Sequence, residues 1–138
     1  MKDNKLNKIE LINSPIFSSQ NHNLMLVKIN QLYHDNMSEE ELYNAVRGIW
    51  RADIDKAVNI DYVLGLYKGE VVAVFKPNNW FKVKDNPKEM PPHAVLNGKT
   101  NERIFFTCDN HNIDCNNPYL GEKYYSSTQN PVTYIWKK

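Results

Sequence analysis

"DYVLGLYKGEVVAVFK", Asp61 to Lys76, carries two runs rich in β-branched and aromatic residues, joined by Lys68-Gly69. A two-residue connection with glycine between such runs signals a β-hairpin. The alternation within each run is broken, because apolar residues stand side by side at Val63-Leu64 and through Val71 to Phe75. That pattern predicts strands buried on both faces, or strands curling into a barrel. Pro77 has no amide hydrogen to give a ladder and ends the second strand, with Asn78, Asn79 and Trp80 expected in the turn at its mouth.

Further strands are expected on both sides of this hairpin. LMLVKI (Leu24 to Ile29), RIFFTC (Arg103 to Cys108) and PVTYIW (Pro131 to Trp136) have strand length and polar borders. A helix is expected from MSEEELYNAVRG: Ser38 and Glu41 fit a capping box, with acids gathered in the first turn. Leu42, Ala45 and Val46 share one face of that helix, and Gly48 is placed to end it. Asp53 to Val58 adds a short helical turn. Residues 84–101, punctuated by Pro87, Pro91, Pro92 and Gly98, read as loop. Residues 1–22 show no stable period and read as a loose arm. The expectation is one α+β domain over residues 23–138: a curved, mostly antiparallel sheet of about five or six strands, or a small β-barrel, carrying one or two helices.

The chain of 138 residues is long enough to bury a core without staples. Seventeen basic residues against sixteen acidic ones argue against a broad electrostatic grip on duplex DNA, so any nucleic-acid contact is expected to be local. No apolar run is long enough for a membrane span, and the polar start MKDNKLNKIELINSP lacks a signal-peptide core. A cytoplasmic protein with Cys108 and Cys115 as free thiols is expected. CDNHNIDC sets Cys108, His111 and Cys115 close together, with His22 and His93 elsewhere, but the paired spacing of a zinc site is missing and a polar loop is the simpler reading.

No phosphate loop, dinucleotide fingerprint or nucleophile elbow occurs. The acids Glu39 to Glu41 fit the helix dipole, His34 fits a loop, and Cys108 has no evident base. A binding protein without catalytic residues, cofactor or metal is the favoured reading.

"LMLVKINQLYHDNMSEEELYNAVRGIWR", "DYVLGLYKGEVVAVFKPNNWF", "RIFFTC" and "YLGEKYYSSTQNPVTYIW" follow one another between residues 24 and 136. In that order they resemble the C-terminal accessory module of bacterial GIY-YIG endonucleases of the LEM-domain type. The nuclease motifs of that family are not found in this sequence, so the resemblance implies a module without cleavage activity of its own. The helix-then-barrel order also resembles PUA-type folds, including the ASCH and EVE groups, which hold nucleotides or modified bases in a pocket.

Candidate ligand contacts follow from residue type. Arg47 and Arg51 offer guanidinium forks, whose ordinary alternative is a salt bridge to Glu40, Asp53 or Asp55. Trp50 and Trp80 offer stacking faces, whose ordinary alternative is the core. Asn130 offers an amide that could read a base edge, or fixes a turn. Tyr43 and Tyr134 would sit at the rim. All seven are expected around one concave pocket that holds a nucleotide or a base of nucleic acid. Two further classes stay open: a stand-alone sponge from a mobile element that sequesters a nucleotide signal, and a nucleotide-acting enzyme using Cys108, His111 or an acid. Self-association stays open as well.

Overall fold

The computed structural model describes residues 12–95, 97–126 and 128–138. Seven strands and two helices run in the order β1 (Leu24–Lys28), α1 (Glu39–Arg47), β2 (Gly48–Trp50), α2 (Ile54–Ala57), β3 (Tyr62–Tyr67), β4 (Glu70–Phe75), β5 (Asn79–Lys82), β6 (Ile104–Thr107) and β7 (Val132–Ile135). They form two sheets rather than a closed barrel. One has the order β4-β3-β1-β7, the other β2-β6-β5. Every pairing is antiparallel except β1 with β3.

The broken alternation of the hairpin is explained by burial on both faces. Met25, Val27, Val63, Ala73 and Phe75 point to one side, against Leu42, Tyr43 and Val46 of α1 and Ile104 and Phe106 of the second sheet. Leu24, Leu26, Leu64, Leu66, Val71 and Val74 point to the other side, against Phe17 and Tyr119. A register shift at Gly65/Leu66 puts Val71 and Val74 on the same face despite their odd spacing. The hairpin turns at Lys68 and Gly69 with φ of 50° and 82°, the paired positive values of the expected two-residue turn. Gly65 faces α1 so closely that a Cβ there would lie 2.6 Å from Val46 Cγ2, and its bare backbone lets the helix settle on the sheet.

Helix α1 begins as its sequence dictates. Ser38 Oγ accepts the Glu41 N–H at 3.1 Å, and Glu41 Oε1 accepts the Ser38 N–H at 3.0 Å. It ends at Gly48, with φ of 143°, and a Cβ there would meet Phe105 Cβ at 2.7 Å and the Ile104 carbonyl oxygen at 2.8 Å. Only glycine lets the chain turn here and pair at once with β6.

Three expectations need correction. Residues 1–11 of the expected arm lie outside the described residues, but 12–22 are not loose. Phe17 is 6 % exposed and stacks 5.9 Å from Tyr119, and the Ser14 N–H donates to the Lys123 carbonyl. Burial of that ring, with the hydrogen bonds of Ser14 to Lys123 and of Gln20 to the Trp136 carbonyl, holds an otherwise polar segment in place. Asn79 and Trp80 lie in strand β5, where pairing with Thr107 and Phe106 overrides the turn preference of asparagine. Strand β2, too short to show a period, was not expected.

Candidate functional site

Along α1, Glu40, Tyr43 and Arg47 recur at three and four residues and so share one face. That face meets the end of β6 and the turn at Pro87–Glu89 around an open cleft of about 320 Å³, lined by Glu40, Tyr43, Arg47, Lys88, Pro92 and His111 among others. Its construction is specific. The Tyr43 hydroxyl accepts the Cys108 N–H at 3.0 Å. The His111 ring stacks on Tyr43, centroids 3.7 Å apart and planes 18° apart. His111 Nδ1 contacts the Glu40 carboxylate at 2.8 Å, and Nε2 contacts the Cys108 carbonyl at 3.0 Å. The Ile113 N–H donates to Glu39 Oε2 at 2.6 Å, so two acids of the first helical turn hold the 108–113 loop. Their sequence reading as helix-dipole residues was half of their role.

Arg47 is 8 % exposed. Its Nε donates to Asn44 Oδ1 at 2.9 Å and its Nη1 to the Glu89 carbonyl at 2.7 Å. Its guanidinium carbon lies 4.9 Å from the centre of the Tyr43 ring and 5.8 Å from that of Phe105. Among the described residues no carboxylate comes within ion-pairing distance of it. Burial pushes its pKa down, against the influence of Tyr43, Glu40 and Glu89, but an arginine stays charged. The pocket therefore contains a buried cation whose only partners are neutral.

Nucleophilic chemistry finds little support here. Burial raises the Cys108 thiol to about 12, leaving almost no thiolate at neutral pH. Both ring nitrogens of His111 are engaged by acceptors. Across the loop Cys108 is buried and Cys115 exposed, and among the described residues no group of three potential ligands gathers as a metal site.

The seven sequence-derived candidates do not share one pocket. Tyr43 and Arg47 do, though Tyr43 is buried as a backing ring rather than placed at the rim. Trp50 lies in the core, 8 % exposed, and its Nε1–H donates to the Val46 carbonyl at 2.8 Å. Arg51 is exposed and lines a different cleft, between α2 and β5. Neither arginine forms the salt bridge that was its ordinary alternative. Trp80 packs half-buried, edge-on to Phe106 at 5.2 Å, with its Nε1 buried and without a partner among the described residues. Tyr134 is half-buried beside Trp136, and its hydroxyl is buried without a partner among the described residues. Asn130 is exposed, and its Oδ1 accepts the Val132 N–H at 3.0 Å, which fixes the turn into β7. The separation has a simple cause. The intervening β2 carries the chain across the second sheet, so Arg47 and Arg51 emerge at opposite ends of it.

Sequence reasoning missed His111, Glu40 and Lys88 as parts of one site. The Glu40–Tyr43–Arg47 spacing was readable as a helical face, but Glu40 and His111 are 71 positions apart and no local signal announces their contact. In comparisons with protein-family models, curated proteins and solved structures, the chain matches none.

Proposed function

We propose that this protein is a non-catalytic binding module that holds a nucleotide, free or within nucleic acid, in the Arg47 pocket. The observation that carries this reading is a buried guanidinium with no ion pair among the described residues. A charge largely removed from water, with Glu40 and Glu89 near but beyond ion-pairing distance, is costly, and an anionic ligand would offset that cost. Two of the Arg47 donors are already used on Asn44 and Glu89, which fix the fork so that its remaining N–H groups can meet a phosphate. The choice of a nucleotide over a simple anion rests on His111. One face of its ring is backed by Tyr43, and the ring is part of the pocket wall, with its side chain 40 % exposed. A ring held in this way offers a planar base a stacking surface at little entropic cost. Lys88 adds a second cation at the rim. The Glu40 carboxylate would repel a phosphate, but it is committed to His111 and lies toward solvent, where screening weakens it.

Calorimetric titration of the whole chain with the four nucleoside monophosphates, and with uncharged nucleosides as controls, tests the reading. At least one monophosphate should bind, and its nucleoside should bind much more weakly. Folded Arg47→Lys should bind at least about tenfold more weakly, because lysine keeps the charge but loses the planar fork. Absence of binding by all four monophosphates, or unchanged affinity in folded Arg47→Lys, would refute it.

A further inference from the structure

The 108–114 loop lines two clefts. His111 belongs to the Arg47 pocket, whereas Asp109, Asn110 and Asp114 line a second cleft of about 330 Å³. Tyr62, Lys76, Asn78 and Asn117 line it as well. Its polar side chains are held in place by the backbone beside them. Asn78 Oδ1 accepts the Asp109 N–H at 2.6 Å, Asn110 Oδ1 the Asn112 N–H at 2.9 Å, and Asp114 Oδ1 the Asn116 N–H at 2.9 Å. Asn117 is 8 % exposed, and its Oδ1 accepts the Tyr119 N–H at 3.0 Å.

Each of these bonds uses one oxygen and fixes the plane of its group. The other half of each group makes no hydrogen bond among the described residues: the Nδ2 amides of Asn78, Asn110 and Asn117, and Asp114 Oδ2. The Asn117 amide is the telling one. A side chain so deeply buried ordinarily finds partners for its donors, and a ligand in the cleft that it lines would supply them.

The chemistry of the cleft selects the ligand. Lys76, Asp109 and Asp114 make no ion pair among the described residues, and one cation against two carboxylates disfavours a phosphate. Calcium takes about six to eight oxygens, but here the amide oxygens are committed to the backbone and Lys76 stands beside the two acids. Free amide donors next to free carboxylate acceptors suit groups that donate and accept at once, and hydroxyls do both. Tyr62, half-buried and braced edge-on by His22 at 5.1 Å, adds ring surface for the C–H groups of a ligand.

We infer that this cleft binds a neutral polyhydroxylated ligand, a mono- or disaccharide, whose hydroxyls accept from the Asn78 and Asn117 amides and donate to Asp109 and Asp114. The volume matches the small end of small-molecule sites, about 300–1,000 Å³. The site is separate from the Arg47 pocket and does not depend on the nucleotide reading.

The test titrates the whole chain with glucose, galactose, mannose, N-acetylglucosamine and maltose at millimolar concentration, followed by saturation-transfer NMR and calorimetry, with calcium chloride as a separate probe. Asn117→Asp and Asn78→Asp keep the oxygen that accepts the backbone N–H and replace only the free amide. At least one sugar should bind the wild type. Each variant, its folding checked by circular dichroism, should bind that sugar at least about tenfold more weakly. Asp109→Asn, at an exposed position, should weaken it as well even if the other two fail to fold. Arg47→Lys should bind it as the wild type does. No binding of any sugar, or full affinity in the folded variants, would overturn the inference. So would loss of sugar binding in folded Arg47→Lys, which would place the sugar in the other pocket. Calcium binding that Asp109→Asn abolishes would make the cleft a cation site and overturn it too.

Discussion

Replacing Arg47 with methionine separates a ligand-binding cation from a structural one. Methionine nearly fills the same volume, removes the charge and leaves Asn44 Oδ1 and the Glu89 carbonyl without their donor. Two hydrogen bonds from a charged donor, at about 1.5–3 kcal/mol each, are lost. So is a cation–π contact over Tyr43 worth about 1–2 kcal/mol. Against this stands relief of the desolvation of a cation with no counter-ion, several kcal/mol by itself. The opposing sums are similar in size, since Glu89 lies at the wall of an open cavity and Asn44 is only half-buried, so water can replace the lost donor. Arg47→Met should therefore change the stability of the ligand-free protein by no more than about 1 kcal/mol in either direction, or roughly 3–5 °C in Tm. It should at the same time abolish nucleotide binding. Urea unfolding followed by tryptophan fluorescence, paired with calorimetric titration, reads both quantities. A loss of more than about 2 kcal/mol without ligand would show that Arg47 is held in the fold for its neutral contacts, and the argument from an uncompensated charge would collapse.

The titration of His93 and the reactivity of the two thiols give independent checks. Partial burial pushes the His93 pKa below its ordinary value of about 6.5, with the Arg47 charge adding to the effect and the contact to the Gly48 carbonyl opposing it. Below that ordinary value the unfolded chain takes up more protons there than the folded one, so the His93 contribution to stability is complete near neutral pH and declines as pH falls through 6.5. Because His34, raised by the Asp35 carbonyl and by Glu41, acts in the opposite sense, the informative quantity is the difference between wild type and His93→Asn. That difference should shrink on acidification, and a difference independent of pH between 5 and 7.5 would contradict it. For the cysteines, iodoacetamide should modify exposed Cys115 in the native protein and leave buried Cys108, with its pKa near 12, unmodified until denaturant is added. Mass spectrometry should find one adduct in buffer and two in urea, and rapid native labelling of both would show the Cys108 site to be open.

The local elements were written in the sequence because their causes are local. Ser38 and Glu41 lie within one helical turn of each other and cap α1 whatever surrounds them. Lys68-Gly69 sets the hairpin through two backbone angles, and doubled apolar positions in β3 and β4 declare burial on both faces. The helical period also places Glu40, Tyr43 and Arg47 on one side of α1, although the sequence reading used it only for Leu42, Ala45 and Val46. Tertiary structure decided everything that depends on which distant segment covers which face. Nothing in the spacing of Trp50 showed that its indole would bond back to Val46, or that β1 and β3 would pair in parallel. Nor could a pattern read a few residues at a time foresee that His111 would fold onto Tyr43, or that β2 would carry Arg51 to the opposite end of its sheet from Arg47. Those outcomes come from the burial of apolar faces against one another across the whole chain. That burial fixes register and partner by total area and fit rather than by any neighbouring residue.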